Sequence, residues 1–471
     1  MKAPQASRLL QRLKPSARKA ALETLLRIDE GFPVQQALSE VLDRAGLDER
    51  GRRQATDLAY TALRTQSRCA FVVDRLLPRP EKLPPLFKAC LGLAAGSLLF
   101  EEHAPAHAIV HETVEDVRAL FGKGLVGVAN GALRSLQRLG SAPLERDFYR
   151  LKPGDAEIDV DARFYSLPRR IVRLWRRELG PETAVRLMER SFRRPCAGVR
   201  INRAKAGWEQ IRQELLDAGA ECLPGEACDL PCVFFREGGT GRIGRERMAE
   251  LAAAGALSLQ AAGSLWALHA LGLFEREAPL WDACAGFGGK TLALLEQGRK
   301  VQAASDMAMG RLRHLEGECR RLGLQAPAVL LADASRLPCR QLPGDVLLDV
   351  PCSGLGVLAR RPDIRRRELN FAEFAATQAK ILEQALAKAK PGASVCYLTC
   401  TVDEQENAGL VRREAFAARA DIVCEWQTPA DSPLEGMYGA VLKVRQHSLG
   451  AGAAAPSCEQ GALAPSCQQG A

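Results

Sequence analysis

Residues 281–291 read WDACAGFGGKT. The apolar lead-in, Ala278-Pro-Leu-Trp281, has the character of a short buried strand. A glycine turn follows, and Lys290 and Thr291 open a helical run, TLALLEQG. Strand, glycine turn and helix N-terminus in that order leave backbone N–H groups pointing out of the turn, which makes a ready site for the polar tail of a cofactor. A Walker loop needs a glycine five residues before Gly289, and Cys284 stands there. A nicotinamide fingerprint begun at Gly286 and Gly288 needs its third glycine at Thr291. What remains is a loop whose glycines let the backbone approach the methionine part of S-adenosyl-L-methionine.

The residues downstream support that reading. From about 256 to 446 short apolar runs alternate with amphipathic helices. Strands are expected at 279–284, 300–305, 327–331, 345–350, 394–399 and 438–444, and helices at 290–297, 307–322, 371–390 and 404–417. Such alternation predicts a mostly parallel sheet covered on both faces, an α/β Rossmann-like unit. Asp306 and Asp333 end successive strands. An acid there is usually a helix cap, but two in register after a glycine loop suit a ribose and an adenine. The run DVLLDVPCSGLG then sets Asp349 and Cys352 at a strand end, and SVCYLTCTVDEQEN sets Cys400 at another. A buried cysteine is ordinarily a small core residue; two at strand ends can face one cofactor pocket. A methyl donor needs a thiol when the acceptor is carbon 5 of cytosine, a poor nucleophile. A thiolate added at carbon 6 makes carbon 5 enamine-like, and Asp349 can hydrogen-bond the ring edge at N3 or N4 as charge develops.

The rest of the 471 residues frames this unit. The chain is long enough for two to four domains, and 47% hydrophobic with 26% charged residues is an ordinary soluble composition. Fifteen cysteines without a secretory leader predict reduced thiols and a cytoplasmic protein, and no run approaches a membrane span. Cys222, Cys228 and Cys232 do not have a standard zinc spacing, so no metal is expected. The formal charge of +9 is unevenly spread. Clusters at Arg169, Arg170 and Arg173, and at Arg360, Arg361 and Arg365, suggest contacts to an RNA phosphate backbone, with a solvated helix face as the alternative. Residues 1–15 form a basic extension. Apolar residues at helical spacing from 16 to 140 predict an all-α bundle, with breaks at Gly31, Gly46, 78–85, Pro105 and 122–124. Residues 141–165 look like a linker, and 166–255 like a helical segment followed by a small α+β unit with a loop at 237–244. Residues 447–471 repeat APSCEQGA as APSCQQGA and carry almost no apolar bulk, which predicts a disordered tail.

Three stretches, DACAGFGGKT, LLDVPCSGLGVLARRPDIR and YLTCTVDEQEN, resemble the RNA 5-methylcytosine methyltransferases. ARKAALETLLRIDEG, AHAIVHETVEDVRALFG and VGVANGALRSL resemble the helical NusB-type RNA-binding domain. The whole order, over roughly 16–446, is similar to the bacterial Fmu/Sun (RsmB) type, which acts on small-subunit ribosomal RNA. The resemblance implies a class I methyltransferase domain over 256–446 and an RNA-facing subdomain within 166–255. It puts the nucleophile on Cys400 and assistance of product release on Cys352. It puts cofactor contacts on Cys284, Ala285, Gly286, Phe287, Gly288, Gly289, Lys290, Asp306, Asp333 and Asp349. An unstacked cytosine in ribosomal RNA is the implied target. Two positions depart from the family pattern: Phe287 stands where the glycine loop usually has proline, and Ala261 follows Gln260 where aspartate is usual. Other readings remain open at this point: another RNA as substrate, a DNA methyltransferase with Cys352 as nucleophile, or a non-catalytic RNA-binding assembly factor.

Overall fold

The computed structural model describes residues 3–101, 105–236 and 239–446. The tail expected at 447–471 and part of the loop expected at 237–244 lie outside the described residues. The chain opens with helices α1 (Ala3–Leu10), α2 (Ala17–Asp29), α3 (Val34–Arg44), α4 (Glu49–Leu76), α5 (Pro85–Phe100), α6 (Ala106–Phe121) and α7 (Val126–Arg138). The starts are written locally. The Ser16 hydroxyl accepts from the Lys19 N–H at the head of α2, and the Asp48 carboxylate accepts from Gly51 N–H at the head of α4. The apolar faces meet in one core around Leu22, Leu58, Phe87, Leu91 and Leu133. The basic N-terminal stretch is no free extension, because Leu10 and Leu13 are buried in that core.

The segment expected as a linker is also packed. Arg68, 4% exposed on α4, donates to the carbonyls of Pro143 (2.9 Å) and Leu144 (3.0 Å) and to the Tyr149 hydroxyl (3.1 Å). Its guanidinium also lies 4.2 Å from the centre of the Phe164 ring. Carbonyls and aromatic faces replace the water a buried guanidinium loses. Helices α8 (Glu157–Phe164) and α9 (Arg169–Phe192) follow, and α9 breaks at Gly180 (φ 78°) ahead of Pro181.

Next comes a small antiparallel sheet of β1 (Ala197–Ile201), β2 (Glu221–Cys222), β3 (Cys232–Phe235) and β4 (Leu257–Leu259), in the order β2-β3-β1-β4. Helices α10 (Trp208–Asp217) and α11 (Arg245–Ala253) belong to this part of the chain. Strand β4 lies past the boundary expected near Gly255, yet it pairs with β1, Arg200 opposite Ser258.

The catalytic unit holds α12 (Ala262–Ala270), β5 (Leu280–Asp282), α13 (Gly289–Glu296), β6 (Val301–Asp306), α14 (Met309–Leu322) and β7 (Ala328–Leu331). It continues with β8 (Asp345–Asp349), α15 (Phe371–Lys388), β9 (Ser394–Thr399), α16 (Ala408–Val411), α17 (Glu414–Ala417), β10 (Ala420–Gln427) and β11 (Tyr438–Val444). The sheet order is β10-β11-β9-β8-β5-β6-β7, with β5 to β9 parallel and β11 antiparallel between β9 and β10. The chain runs outward from β5 through β6 to β7 and then returns to β8 on the other side of β5. The order therefore reverses between β5 and β8, and a crevice opens at their carboxyl ends. All-α bundle, small α+β unit and α/β sheet thus follow one another as expected. Among the described residues no helix is long and apolar enough to cross a membrane.

Two elements differ from expectation. Strand β10 was not anticipated; it is an edge strand with Ile422, Cys424 and Trp426 half-buried and Val423 and Glu425 exposed between them. The helix expected at 404–417 is broken into α16 and α17, because Asp403, Glu406 and Asn407 turn inward to hold the preceding loop.

Helix α9 supports the catalytic sheet. Its Ile171, Trp175 and Leu187 share a core with Leu355, Leu358, Ile364 and Val402. Arg365 corrects a sequence expectation here. It was assigned to RNA, but it is 6% exposed and its guanidinium donates to the carbonyls of Tyr165, Ser166 and Ser191. It pins α9 to the loop after β8 and has no surface left for a phosphate. Arg365→Ala leaves three carbonyls without this donor and is expected to cost about 2–4 kcal/mol of stability. Urea unfolding followed by the fluorescence of neighbouring Trp175 measures it; an unchanged midpoint would contradict the assignment.

Candidate active site

The glycine turn sits at the end of β5, beside the point where the sheet order reverses. Gly286 has φ 56° and Gly288 φ 84°, a left-handed backbone that glycine adopts without strain. Gly288 has a second reason to be glycine: a Cβ there would stand 2.4 Å from Leu315 Cδ1 of α14. No side chain caps α13, so its first N–H groups stay available to a ligand. The Gly286 N–H donates to Asp306 Oδ2 at 3.0 Å, and the other Asp306 oxygen accepts from Ala308 N–H at 2.8 Å. Asp333 accepts from Ser335 N–H at 2.8 Å, and the Ser335 side chain and then this backbone bond lower its pKa. Both acids thus act as local caps while lying at the crevice.

The loop is held from below by Asp282, which sequence reasoning passed over. It is 1% exposed, accepts from Thr291 Oγ1 at 2.6 Å and from Cys284 N–H at 3.3 Å. Burial raises its pKa to about 6 against the Thr291 bond, and Asp349 pushes the same way. The signal was present: an acid within a buried apolar strand needs a dedicated partner, and Thr291 is nine residues on. Arg200 was also missed. Buried on β1, it pairs with Glu296 at 2.7 Å and donates to the Gly289 carbonyl at 3.0 Å, tying the small sheet to the head of α13. Cys284 lies among Asp282, Asp349, Asp306 and Asp333; burial and then these four carboxylates raise its pKa well above the ordinary thiol value. A crevice ringed by carboxylates at a free helix N-terminus fits a cofactor with a cationic sulfonium, an amine and a carboxylate, as S-adenosyl-L-methionine has. Phe287 does not enter the loop's interior. It is 61% exposed and meets His314 edge-on, ring centres 5.5 Å apart.

The Lys290 side chain is buried and forms an ion pair with Asp349 at the end of β8. Burial works to lower its pKa, but Asp349 and then Cys400 and Asp282 raise it on balance. Beyond Asp349, Cys352 and Cys400 meet with their sulfurs 3.1 Å apart, and the Cys400 N–H donates to Cys352 Sγ at 3.3 Å. The two thiols are driven apart. The hydrogen bond with Cys352 lowers the Cys400 pKa, against burial and with help from Lys290. Cys352 is raised well above the ordinary value, first by that same bond and then by burial. The contact thus moves the two thiols in opposite directions, Cys400 toward the thiolate and Cys352 toward the thiol.

Backbone contacts hold this pair. Gly356 N–H donates to the Cys400 carbonyl (3.0 Å), and Gly436 N–H to the Gly356 carbonyl (2.9 Å). Buried Glu406 accepts from Ser353 N–H (2.9 Å) and Gln378 Nε2 (2.8 Å), and the Ser353 and Thr401 hydroxyls meet at 2.8 Å. Of the sequence candidates, the loop 284–290 with the Phe287 side chain turned outward, Asp306, Asp333, Asp349, Cys352 and Cys400 thus gather at one crevice. The arginines disperse. Arg360 pairs with Glu435 (2.6 Å), Arg361 with Asp363 (3.1 Å) and Arg169 with Asp159 (2.6 Å). Arg170 donates to the Arg367 carbonyl, and Arg173 is exposed.

Sheet, crevice and helical domain together define a Rossmann-like methyltransferase preceded by a NusB-like bundle. Residues 269–441 match the family model described as 16S rRNA methyltransferase RsmB/F, and residues 15–138 match the NusB family. The ribosomal RNA small subunit methyltransferase B of Escherichia coli O6:K15:H31 is 30% identical, covering 87% of this chain and 90% of that protein. The probable enzyme of the same description from Synechocystis is 31% identical over 80% of this chain and 83% of its own. The chain belongs to the 16S rRNA methyltransferase RsmB/F family, whose methyl donor is S-adenosyl-L-methionine. The fold is shared with the crystal structure of PH0851, TM-score 0.69 at 20% identity, covering 92% of this chain and 99% of that one.

Two outcomes follow from the geometry. Alkylation of Cys400 by iodoacetamide is expected to have its midpoint below the ordinary thiol pKa, and Cys352→Ala to move that midpoint upward by removing the donor. An unmoved midpoint would dissolve the coupling. A Cβ on Gly356 would fall 1.8 Å from the Gly436 carbonyl oxygen. Gly356→Ala must therefore shift the loop, and it should lower kcat/KM for RNA about 100-fold, as a displacement near 1 Å does. Calorimetry should find cofactor binding retained.

Proposed function

We propose that the chain methylates carbon 5 of a cytosine in small-subunit (16S) ribosomal RNA through a covalent adduct between Cys400 and carbon 6. Family membership and the relatives' names support the coarser part, S-adenosyl-L-methionine-dependent methylation of small-subunit ribosomal RNA. One observation carries the finer part: a thiol of lowered pKa, Cys400, lies 3.1 Å from a thiol of raised pKa, Cys352, next to the Lys290–Asp349 pair.

When bound, the cofactor supplies an electrophilic methyl carbon on its sulfonium. The residues around the crevice handle the base. The Cys400 thiolate adds to carbon 6, forming the S–C6 bond as the C5–C6 double bond opens and its electron pair moves to carbon 5. Asp349, held by Lys290, accepts a hydrogen bond from the exocyclic N4 amino group and fixes the ring for attack, while the Lys290 ammonium beside it offsets the negative charge that the adduct gains. After methylation the carbon 5 proton leaves to a base, the double bond re-forms, and the C6–S bond breaks with its pair returning to Cys400. Cys352 donates its S–H to that departing sulfur. The same hydrogen bond that favours thiolate for attack therefore favours it as leaving group. Met307, 73% exposed just after Asp306, offers apolar surface to the flat adenine of the cofactor.

With an RNA fragment carrying the target, Cys352→Ala is expected to accumulate a covalent protein–RNA adduct that survives denaturing electrophoresis. Cys400→Ala should form none. The reverse pattern would make Cys352 the nucleophile. Bisulfite sequencing of 16S ribosomal RNA from cells with and without the gene identifies the base; no difference at any cytosine rejects the proposal.

A further inference from the structure

The arginines singled out in the sequence are mostly engaged, but the opposite end of α9 carries others. A cleft of about 350 Å³ opens between that end, the small sheet and residues 430–433. Arg186, Arg190, Arg193, Arg194 and Arg236 line it, against two acids, Glu189 and Asp431. Arg186 and Arg190 are four residues apart on α9 and share a face; Arg193 and Arg194 follow directly past its last turn. Arg186 and Arg194 are exposed, and neither forms an ion pair among the described residues. Arg193 reaches Glu189 only at 3.9 Å. Arg190 donates to a single carbonyl, that of Pro429, at 3.5 Å. Burial pushes its pKa down to about 10, so its charge is poorly compensated where it stands. Arg236 is already paired with Glu221 (2.8 Å), so among the described residues four guanidinium groups face Glu189 and Asp431 and leave a local excess of positive charge in a concave surface.

The cleft also touches the catalytic loop. Ala359 forms part of its wall, and Arg190 Nη2 lies 2.7 Å from where a Cβ on Gly436 would stand. Gly436 is bonded to Gly356, whose N–H holds the Cys400 carbonyl. The positive surface is thus one loop thickness from the nucleophile. No aromatic side chain lines it, so base stacking is not its means of binding.

We infer that this cleft binds the sugar–phosphate backbone of the RNA strand that carries the target cytosine. The inference rests on the proposed RNA substrate and names where on the chain that RNA is gripped. Guanidinium forks match phosphate oxygens two at a time, and such contacts set register without reading sequence.

The test is the salt dependence of RNA binding by the full-length protein. Arg186→Gln/Arg193→Gln/Arg194→Gln is compared with native protein by fluorescence anisotropy on a single-stranded ribosomal RNA fragment. Loss of three phosphate contacts reduces the slope of log K against log salt by about 2, so that raising salt from about 50 to 200 mM weakens the variant roughly 15-fold less than native protein. An equal number of changes at Arg169, Arg170 and Arg173 should alter the slope by less than half as much. Calorimetric binding of S-adenosyl-L-methionine reports that both variants are folded. An unchanged slope, or equal changes in the two variants, overturns the inference. So does a defect confined to an acidic protein of the small subunit, which would make the cleft a protein-docking surface. Native protein that methylates no RNA would instead reject the proposed substrate, whatever the slopes.

Discussion

The arrangement depends on two sulfur atoms held 3.1 Å apart. Neither thiol is special by itself. Burial penalises the thiolate at both positions, and a lone buried cysteine is an inert core residue. Contact moves two such residues in opposite directions, lowering the pKa of Cys400 and raising that of Cys352. That contact needs neighbouring strands ending at one level, which β8 and β9 supply, and a loop after β8 that turns back across the end of β9. The backbone bonds from Gly356 to Cys400 and from Gly436 to Gly356 hold it there. The buried Ser353, Thr401 and Glu406 contacts fasten the same loop from the other side. Helix α9, outside the sheet, completes the support through Trp175 and Arg365.

Charge is unevenly divided around that contact. Carboxylates ring the glycine turn; of the cations among them, buried Lys290 is committed to Asp349, and Arg311 reaches Asp306 at 3.6 Å from the exposed side. Lys290 lies close enough to Cys400 to favour its thiolate, so one ammonium serves both the strand-end acid and the nucleophile. Excess positive charge collects instead beyond the catalytic loop, in the arginine cleft. A cationic methyl donor and a polyanionic substrate can then approach from regions of opposite field, each steered to its own side.

What the sequence made legible follows from how local each signal is. The glycine turn, the strand ends at Asp306, Asp333 and Asp349, and the two cysteines are each written in a run of fewer than ten residues, and the structure gathers them in one crevice. Strand β10 was harder because exposed Val423 between Ile422 and Cys424, where the register shifts, blurs the alternation, and because Asp421 and Glu425 find their partners, Arg445 and Arg412, outside the strand. The arginines misled for a related reason. A cluster such as 360–367 resembles a phosphate footprint until one knows that Glu435, Asp363 and three carbonyls already occupy it. Asp282 and Arg200 escaped notice because their importance lies in partners, Thr291, Glu296 and Gly289, that only packing or a second strand brings near.

Position 261 brings these threads together. Ala261 stands at the N-cap of α12 and has no side chain with which to cap it. The N-terminus of α12 is nevertheless served: Glu435, from the turn before β11, accepts the Gly263 N–H at 3.1 Å. A carboxylate at a helix N-terminus is favoured by the helix dipole as well as by the bond. Glu435 is 7% exposed, however, and a buried carboxylate needs a cation. Arg360 supplies it, with contacts of 2.6 and 3.1 Å, and donates its remaining reach to the Cys196 carbonyl at 2.7 Å. One carboxylate, Glu435, thus serves both the N-terminus of α12 and the guanidinium of Arg360. Capping α12 from residue 435 enlists the arginine of the catalytic loop as counter-charge, and the same exchange fastens that loop to the helix leading into β5.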